Sequence, residues 1–368
     1  MITGDMVTEG KPSPEIYQKA CELLAIEPSK ALALEDSLHG IQAAHKAGMV
    51  TVMVPDLVQD SGLIDGILDW EGGVAVGSRA VDGRRELMDS KVKCVALDLD
   101  GTLLSDEKKV SEENREALMR AAEKGVHIVI ASGRAYTSLP KEVLQIPGIE
   151  YAITSNGAKI YHVLTRECVR DTRMTAASVE KIRRQVKGMG MAEEIFVDGQ
   201  PYAMAAYVKD PVAYGIEKHA VSYIQTTRVP VTDVEEFFQI HAGELECLDY
   251  ILKDVTKRDE IWRLLEETVP DIYVTSSMPN RLEISHKDAG KRAAYEWLLG
   301  QLQIPPAQAA AFGDADNDWE MLDFVGYGIA MENATKRCKK AARAVTKKNT
   351  QSGVAYGFFD LPLHIERL

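Results

Sequence analysis

Hydrophobic residues in this chain gather in short runs that stop at polar clusters. Residues 31–34, 49–54, 94–97, 126–131, 151–154 and 309–312 are each too short for a helix and apolar at successive rather than alternate positions. A strand apolar all along its length is buried on both faces, as in a parallel sheet covered by helices. Helical signals fall between the runs. Ser13 can cap a helix with Pro14 at its first position and apolar residues recurring to Leu24, and residues 40–48 fit a helix with a glycine stop. Ser111-Glu112-Glu113-Asn114 opens an amphipathic helix that stops at Gly125, and Asp288-Ala289-Gly290-Lys291 opens one running to Leu299.

Residues 173–281 change character. Helical segments (176–187, 233–243, 258–267) alternate there with strand-like stretches (195–197, 202–207, 248–253, 272–275), and Asp198-Gly199 supplies a hairpin turn. The apolar pattern resumes at Leu282-Glu283-Ile284-Ser285, read as the return to the first architecture. The fold predicted is therefore α/β: a doubly wound parallel-sheet core over residues 91–172 and 282–368, with an inserted α+β domain over 173–281. Residues 1–90 precede it as a partial second α/β core. Their glycine-rich last third is expected to hold a short helix at 63–70, a turn and a helix at 84–89.

Length and composition, 368 residues with 45% hydrophobic and 27% charged, fit two or three globular domains. The net charge of −13 argues against a nucleic-acid partner. It is uneven: −8 falls within residues 1–90, so the longer remainder is nearly balanced and can attract a phosphorylated metabolite. No apolar run is long enough to span a membrane and the first residues do not resemble a signal peptide, so a cytoplasmic protein is expected. Five scattered cysteines without Cys-x-x-Cys spacing suggest neither a disulfide framework nor a zinc site.

The candidate chemistry sits where the runs end. Asp98 and Asp100 flank Leu99 at the end of run 94–97 and lead into Gly101-Thr102, which projects two carboxylates into the crevice beyond a sheet's carboxyl edge. Ser132-Gly133-Arg134 follows run 126–131, where a hydroxyl and free amides can cradle a phosphate. Lys291 stands at the positive end of its helix, placed to hold an anion. Gly313-Asp314-Ala315-Asp316-Asn317-Asp318 packs four acid or amide groups into five positions, a donor set for Mg²⁺. An EF-hand reading fails for want of a glutamate at the twelfth position and of flanking helices.

Asp98-Leu99-Asp100-Gly101-Thr102-Leu103 resembles the signature of the haloacid dehalogenase superfamily. Ser132, Lys291 and Asp314 to Asp318 match its later motifs in order, and Ser155-Asn156-Gly157-Ala158 is similar to the substrate-side turn of its Cof-type branch (subfamily IIB). The resemblance covers residues 92–368 and implies a Rossmann-like core whose insertion is a cap domain. It implies a Mg²⁺-dependent phosphatase of a small phosphorylated metabolite, a sugar phosphate or a cofactor phosphate. Asp98 would be the nucleophile and Asp100 the general acid and base. Mg²⁺ would be held by Asp98, the Asp100 carbonyl and Asp314, with Asp318 steadying metal and lysine from behind. Gly101, Thr102, Ser132, Gly133, Arg134, Asn156, Gly157, Lys291 and Asn317 would bind phosphate or substrate. A phosphomutase and a non-catalytic metabolite-binding scaffold are the alternatives.

Residues 1–60 resemble the C-terminal end of another branch, the β-phosphoglucomutase-like hydrolases, with Lys11 matching the phosphate-binding lysine and Glu35-Asp36 the metal-binding acids. No Asp-x-Asp strand precedes Lys11. The stretch reads as a structural remnant, as the end of a longer reading frame, or as a part that assembles with another chain, and self-association through residues 1–90 is expected.

Overall fold

In the computed structural model, which describes residue 7 and residues 9–24, 26–35, 37–53, 75–76 and 92–359, the short apolar runs become parallel strands. The chain divides into two units, Met1–Met88 and Asp89–Leu368.

In the first unit, helix α1 (Glu15–Leu24) starts one residue after Pro14, whose carbonyl accepts the Tyr17 and Gln18 amides; Pro14 thus stands just outside the helix. Strand β1 (Leu32–Glu35) pairs in parallel with β2 (Val50–Met53), and β2 with β3 (Ala75–Val76). Between β1 and β2 runs α2 (Leu38–Lys46), whose N-cap Ser37 accepts the Gly40 amide. The cap sets the start two residues before Gly40. Asp36 and the helices expected at 63–70 and 84–89 lie outside the described residues.

The second unit is built on an eight-stranded sheet. Strand β4 (Cys94–Leu97) is buried along its whole length and followed by α3 (Glu112–Glu123), which Ser111 caps through the Asn114 amide. Next come β5 (His127–Ala131), the short α4 (Lys141–Leu144) and β6 (Ile149–Thr154), in parallel order beside β4. Two antiparallel strands that the hydrophobic pattern does not single out, β7 (Lys159–His162) and β8 (Cys168–Asp171), extend that edge.

An α+β domain follows: α5 (Ala176–Val186), β9 (Ala192–Val197), β10 (Gln200–Met204), α6 (Ala205–Lys209), α7 (Val221–Thr227), β11 (Val229–Val231), α8 (Val234–His241), β12 (Leu245–Ile251), α9 (Arg258–Thr268), β13 (Ile272–Thr275) and β14 (Arg281–His286). Its sheet runs β11-β10-β9-β12-β14-β13. Asp198 and Gly199 both take positive φ in the two-residue turn between β9 and β10, as a tight hairpin requires. Two readings are corrected here. The stretch 202–207 is strand only to Met204 and then helix. Leu282 to Ser285 does not return to the core but forms β14, paired with β12 and β13. Its period of two explains why: Leu282 and Ile284 face the apolar layer under α5 and α9, while Glu283 and Ser285 take the opposite face. Core strands are apolar on both.

The core resumes at α10 (Lys291–Gln301) and continues through β15 (Ala309–Gly313), α11 (Trp319–Phe324), β16 (Tyr327–Ala330), α12 (Lys336–Ala341), β17 (Ala344–Val345) and α13 (Gly353–Phe359). The sheet order is β17-β16-β15-β4-β5-β6-β7-β8. From β4 the chain builds outward through β5 and β6, then returns to build the other side from β15. The order reverses between β4 and β15, which opens a crevice beyond their carboxyl ends. Asp98 and Asp314 are the first residues past those two tips.

Candidate active site

Asp98 follows β4 directly and is buried. Lys291, the first residue of α10 and only 1% exposed, donates to Asp98 Oδ1 at 2.7 Å and to Asp318 Oδ1 at 2.6 Å. Asp318 is fully buried; its other oxygen accepts the Asp314 and Ala315 amides at 3.0 Å each, which shapes the turn after β15. Asp98, Asp314 and Asp318 offer carboxylate oxygens all within 4.8 Å of one another. One ammonium among three carboxylates leaves negative charge in excess. Burial raises the Asp98 carboxyl well above its usual range, with Asp318 and Asp314 adding to the effect and Lys291 opposing it. Burial, reinforced by Asp318, also lifts Asp314 to about 7. The same burial works against the Lys291 charge, yet Asp318 and Asp98 more than offset it and hold the ammonium firmly protonated. A buried, all-oxygen, over-negative donor set of this kind fits a hard divalent cation such as Mg²⁺.

Asp100 is placed differently. Its side chain is 40% exposed and gripped by Arg134, with Nε and Nη2 each 2.7 Å from a separate carboxylate oxygen, while Lys108 adds a bond of 2.8 Å. Burial tends to raise its carboxyl, but the guanidinium and the ammonium outweigh that and hold it well below the usual range. Gly101, at φ +84°, lets the chain turn between the two acids; a Cβ there would lie 2.3 Å from Asp314 Oδ2. Only glycine allows the loop after β4 to close on Asp314. Thr102 Oγ1 donates to Asp314 Oδ1 at 2.9 Å.

Ser132 is buried past the tip of β5, and its hydroxyl accepts the Arg134 amide at 3.1 Å. Gly133 lies against Asn156: its Cβ position is 3.1 Å from Asn156 Oδ1. That oxygen accepts from Asn317 Nδ2 at 3.0 Å, leaving the buried Asn317 Oδ1 without a partner. Gly157, at φ +93°, abuts the backbone before α10, where a Cβ would come within 2.2 Å of the Gly290 carbonyl. The residues singled out in the sequence thus converge on one crevice. Of those expected to bind phosphate or substrate, Arg134 is engaged on Asp100, Thr102 on Asp314, Lys291 on Asp98 and Asp318, Asn317 on Asn156, and Asn156 also on Glu283 of the inserted domain.

Sequence reasoning missed the residues that bring the inserted domain to this crevice. Glu283 of β14 accepts from Asn156 Nδ2 at 3.1 Å. Glu246 lies where the β9–β12 register shifts; it accepts from Ser155 Oγ at 2.8 Å and the Gly199 amide at 2.6 Å and pairs with Lys159 at 3.2 Å. A bulge is not readable in one sequence, but a glutamate amid the apolar residues of β14 is a signal that could have been used. Asn333 also contributes unforeseen, donating to the Gly101 carbonyl at 2.8 Å.

Among the described residues, no helix is long and apolar enough to cross a membrane. A model of haloacid dehalogenase-like hydrolases matches residues 95–358, and a second model with that description matches residues 1–54. A Bacillus subtilis 5-amino-6-(5-phospho-D-ribitylamino)uracil phosphatase, YwtE, is 30% identical over 288 residues, covering 72% of this chain and 96% of its own. A haloacid dehalogenase-like hydrolase from B. subtilis shares the structure with a TM-score of 0.62 at 26% identity, over 72% of this chain and 98% of that one. A subclass IIB sugar phosphatase matches in fold with a TM-score of 0.63 at 20% identity, over 74% and 99% of the two chains. The inserted domain is accordingly a cap on a Rossmann-like core, and the chain belongs to the haloacid dehalogenase-like hydrolase family as a phosphoric monoester hydrolase of the Cof type.

Proposed function

We propose that the second unit is a Mg²⁺-dependent phosphatase acting on a small phosphorylated metabolite, either a sugar phosphate or a cofactor phosphate, through an aspartyl-phosphate on Asp98. The observation that carries this reading is the placement of Lys291 between Asp98 and Asp318 at the sheet's switch point, with Asp314 alongside. Asp98 and Asp314, with the Asp100 carbonyl, would hold Mg²⁺, which supplies the charge neutralisation that lets a carboxylate approach a phosphate dianion.

Asp98 attacks phosphorus, the bond to the leaving oxygen breaks, and Asp100 protonates that oxygen. Asp100 then takes a proton from the water that cleaves the acyl phosphate. Lys291, Ser132 and the amides around Gly101 bind the transferring oxygens, Asn317 adds a contact, and Asp318 fixes the lysine from behind. Both Asp100 oxygens accept bonds from Arg134, which with Lys108 keep the carboxyl ionised, so Asp100 can carry a proton to the leaving oxygen only when the Arg134 fork shifts. The free cysteines suit a reducing, cytoplasmic setting.

Phosphate release over a metabolite panel, with Mg²⁺ and with chelator, tests the reading: Mg²⁺-dependent turnover of at least one member is expected, and none on any member would sink it. Acid-quenched single turnovers separate hydrolysis from mutase chemistry. Loss of the phospho-enzyme to water is the expected result, and its transfer to a second hydroxyl would make the enzyme a mutase.

A further inference from the structure

Asn156 is the residue through which the parts of the crevice touch one another. It stands just past β6 in the left-handed region, at φ 52°, a conformation asparagine tolerates better than most residues. Its backbone is bonded on both sides. The amide donates to the Ser132 carbonyl at 3.2 Å, and the carbonyl accepts the Gly290 amide at 2.8 Å, directly before Lys291. Its side chain, in a residue 1% exposed, is also bonded at both ends: Oδ1 accepts from Asn317 Nδ2 at 3.0 Å and Nδ2 donates to Glu283 at 3.1 Å.

Glu283 is the acceptor that fixes this arrangement. It lies buried in β14 and takes one donor on each carboxylate oxygen, the Ser277 hydroxyl on Oε1 and Asn156 Nδ2 on Oε2. A carboxylate that accepts on both oxygens has no donor to offer, so Asn156 turns its amino group toward Glu283 and its carbonyl oxygen toward Asn317. Asn317 in turn brings its own amino group to Asn156. The polarity set by Glu283 thus passes through two amides and ends beside the metal-binding loop. There the buried Asn317 keeps one N–H of Nδ2 in reserve, together with Oδ1, an atom without a hydrogen-bond partner among the described residues. The position is a costly one for an acid. Leu282 and Ile284 beside it fill the apolar layer under α5 and α9. Burial and Glu283 together push the carboxyl of Asp249, directly opposite on β12, well up, against the pull of Arg281.

We propose that Glu283 is a positioning residue of the reaction: from the cap it fixes the amide orientation of Asn156 and, through it, that of Asn317, which then presents one fixed arrangement of N–H and Oδ1 to the transferring phosphoryl. Without Glu283 the two amides can turn over together, exchanging nitrogen and oxygen, and only a fraction of the molecules holds the competent arrangement. The proposal rests on the phosphatase reading and on the contact of Asn317 with the transferring group, and the experiment keeps these apart.

The full chain with Mg²⁺ is assayed on p-nitrophenyl phosphate and on the panel metabolite that the parent turns over fastest, with melting temperatures checked. Glu283→Asp keeps the charge but draws it back by one methylene, away from Asn156. Ser277→Ala, at an exposed position where folding is not at stake, frees Glu283 to swing off Asn156. Each is made in the parent and in Asn317→Ala. In the parent, kcat should fall roughly tenfold or more for Glu283→Asp and about threefold or more for Ser277→Ala, with KM within about threefold. In Asn317→Ala, neither change should lower kcat by more than about twofold, because the residue it acts through is gone. A residue that only supports the fold lowers kcat by the same factor in both backgrounds, and that result overturns the proposal. So does a kcat within about twofold of the parent for both Glu283→Asp and Ser277→Ala. Asn317→Ala within about twofold of the parent also overturns it, while the phosphatase reading stands. A parent that turns over no ester removes that reading and the proposal with it.

Discussion

Each unit of this protein sets a lysine against an acid at a strand tip, and the two pairs differ in what surrounds them. Lys11 donates to Glu35 at 2.5 Å, the Tyr17 hydroxyl shares the same carboxylate, and the lysine side chain is 36% exposed. Lys291 is fully buried between acids from two strands. In the first case charges balance one to one: burial opposes the Lys11 charge, but its bonds to Glu35 and Tyr17 prevail, and burial with Glu35 pushes the Tyr17 hydroxyl up to about 12. In the second, three carboxylates crowd one ammonium, the one such group with metal-holding geometry among the described residues. A lysine–acid pair is a salt bridge. It becomes a candidate for catalysis when a neighbouring strand, across a switch point, adds carboxylates that no side chain neutralises.

The largest effect expected from breaking this comparison is at the nucleophile. Asp98→Asn keeps the shape and the Lys291 contact but removes the attacking charge, and phosphate release should fall on the order of 10³-fold or more. Unchanged release would place the nucleophile elsewhere. Lys291→Ala should cost roughly 10²-fold, the usual loss for one buried charge stabiliser. A rate within about threefold of the parent would reduce Lys291 to the status of Lys11.

A middle-sized effect concerns the cation. Asp98 and Asp314 have raised carboxyls in the folded, metal-free protein, and an unfolded aspartate titrates near ~3.9. Their contribution to stability is therefore full below about pH 4 and is lost as pH rises through about 7, the value for Asp314. A bound divalent cation favours the deprotonated forms, so the rise in Tm on adding Mg²⁺ should be larger near ~pH 8 than near ~pH 5. Equal shifts at the two pH values would mean these carboxylates do not hold the cation.

How much of this was legible depended on whether a feature is local. Asp98, Ser132, Lys291 and Asp314 stand where a short apolar run ends or a helix begins, and both signals lie within a few neighbouring residues. The core strands were readable for the same reason. Strand β14 was misplaced because a half-apolar strand and a core strand look alike in Leu282 and Ile284; only Glu283 and Ser285 separate them. The partners of Arg134, Asn156 and Glu246 were out of reach, because Asp100, Glu283 and Ser155 are distant in sequence and meet through sheet order and a bulge. Motif matching assigned Arg134 to phosphate; its fork-to-carboxylate geometry with Asp100 is a fact of packing alone.

The smallest effect belongs to the first unit. If Lys11 and Glu35 form only a salt bridge, Lys11→Ala should leave turnover within about threefold, because a part-exposed pair contributes about 1 kcal/mol or less. Asp36→Ala should behave alike. Deleting residues 1–90 extends the test: activity per folded molecule should again stay within about threefold. The physical consequence should lie in association, since Leu23, Leu24, Leu32 and Val50 are about half exposed or more. Apolar side chains on and beside a small open sheet favour burial against another surface. Light scattering of the deletion should therefore show a changed oligomeric state or improved solubility at equal concentration. A deletion that keeps the same monodisperse state but loses catalysis would mean that the first unit serves the active site, and the contrast between the two lysines would then be one of partnership instead of one between a salt bridge and a catalytic centre.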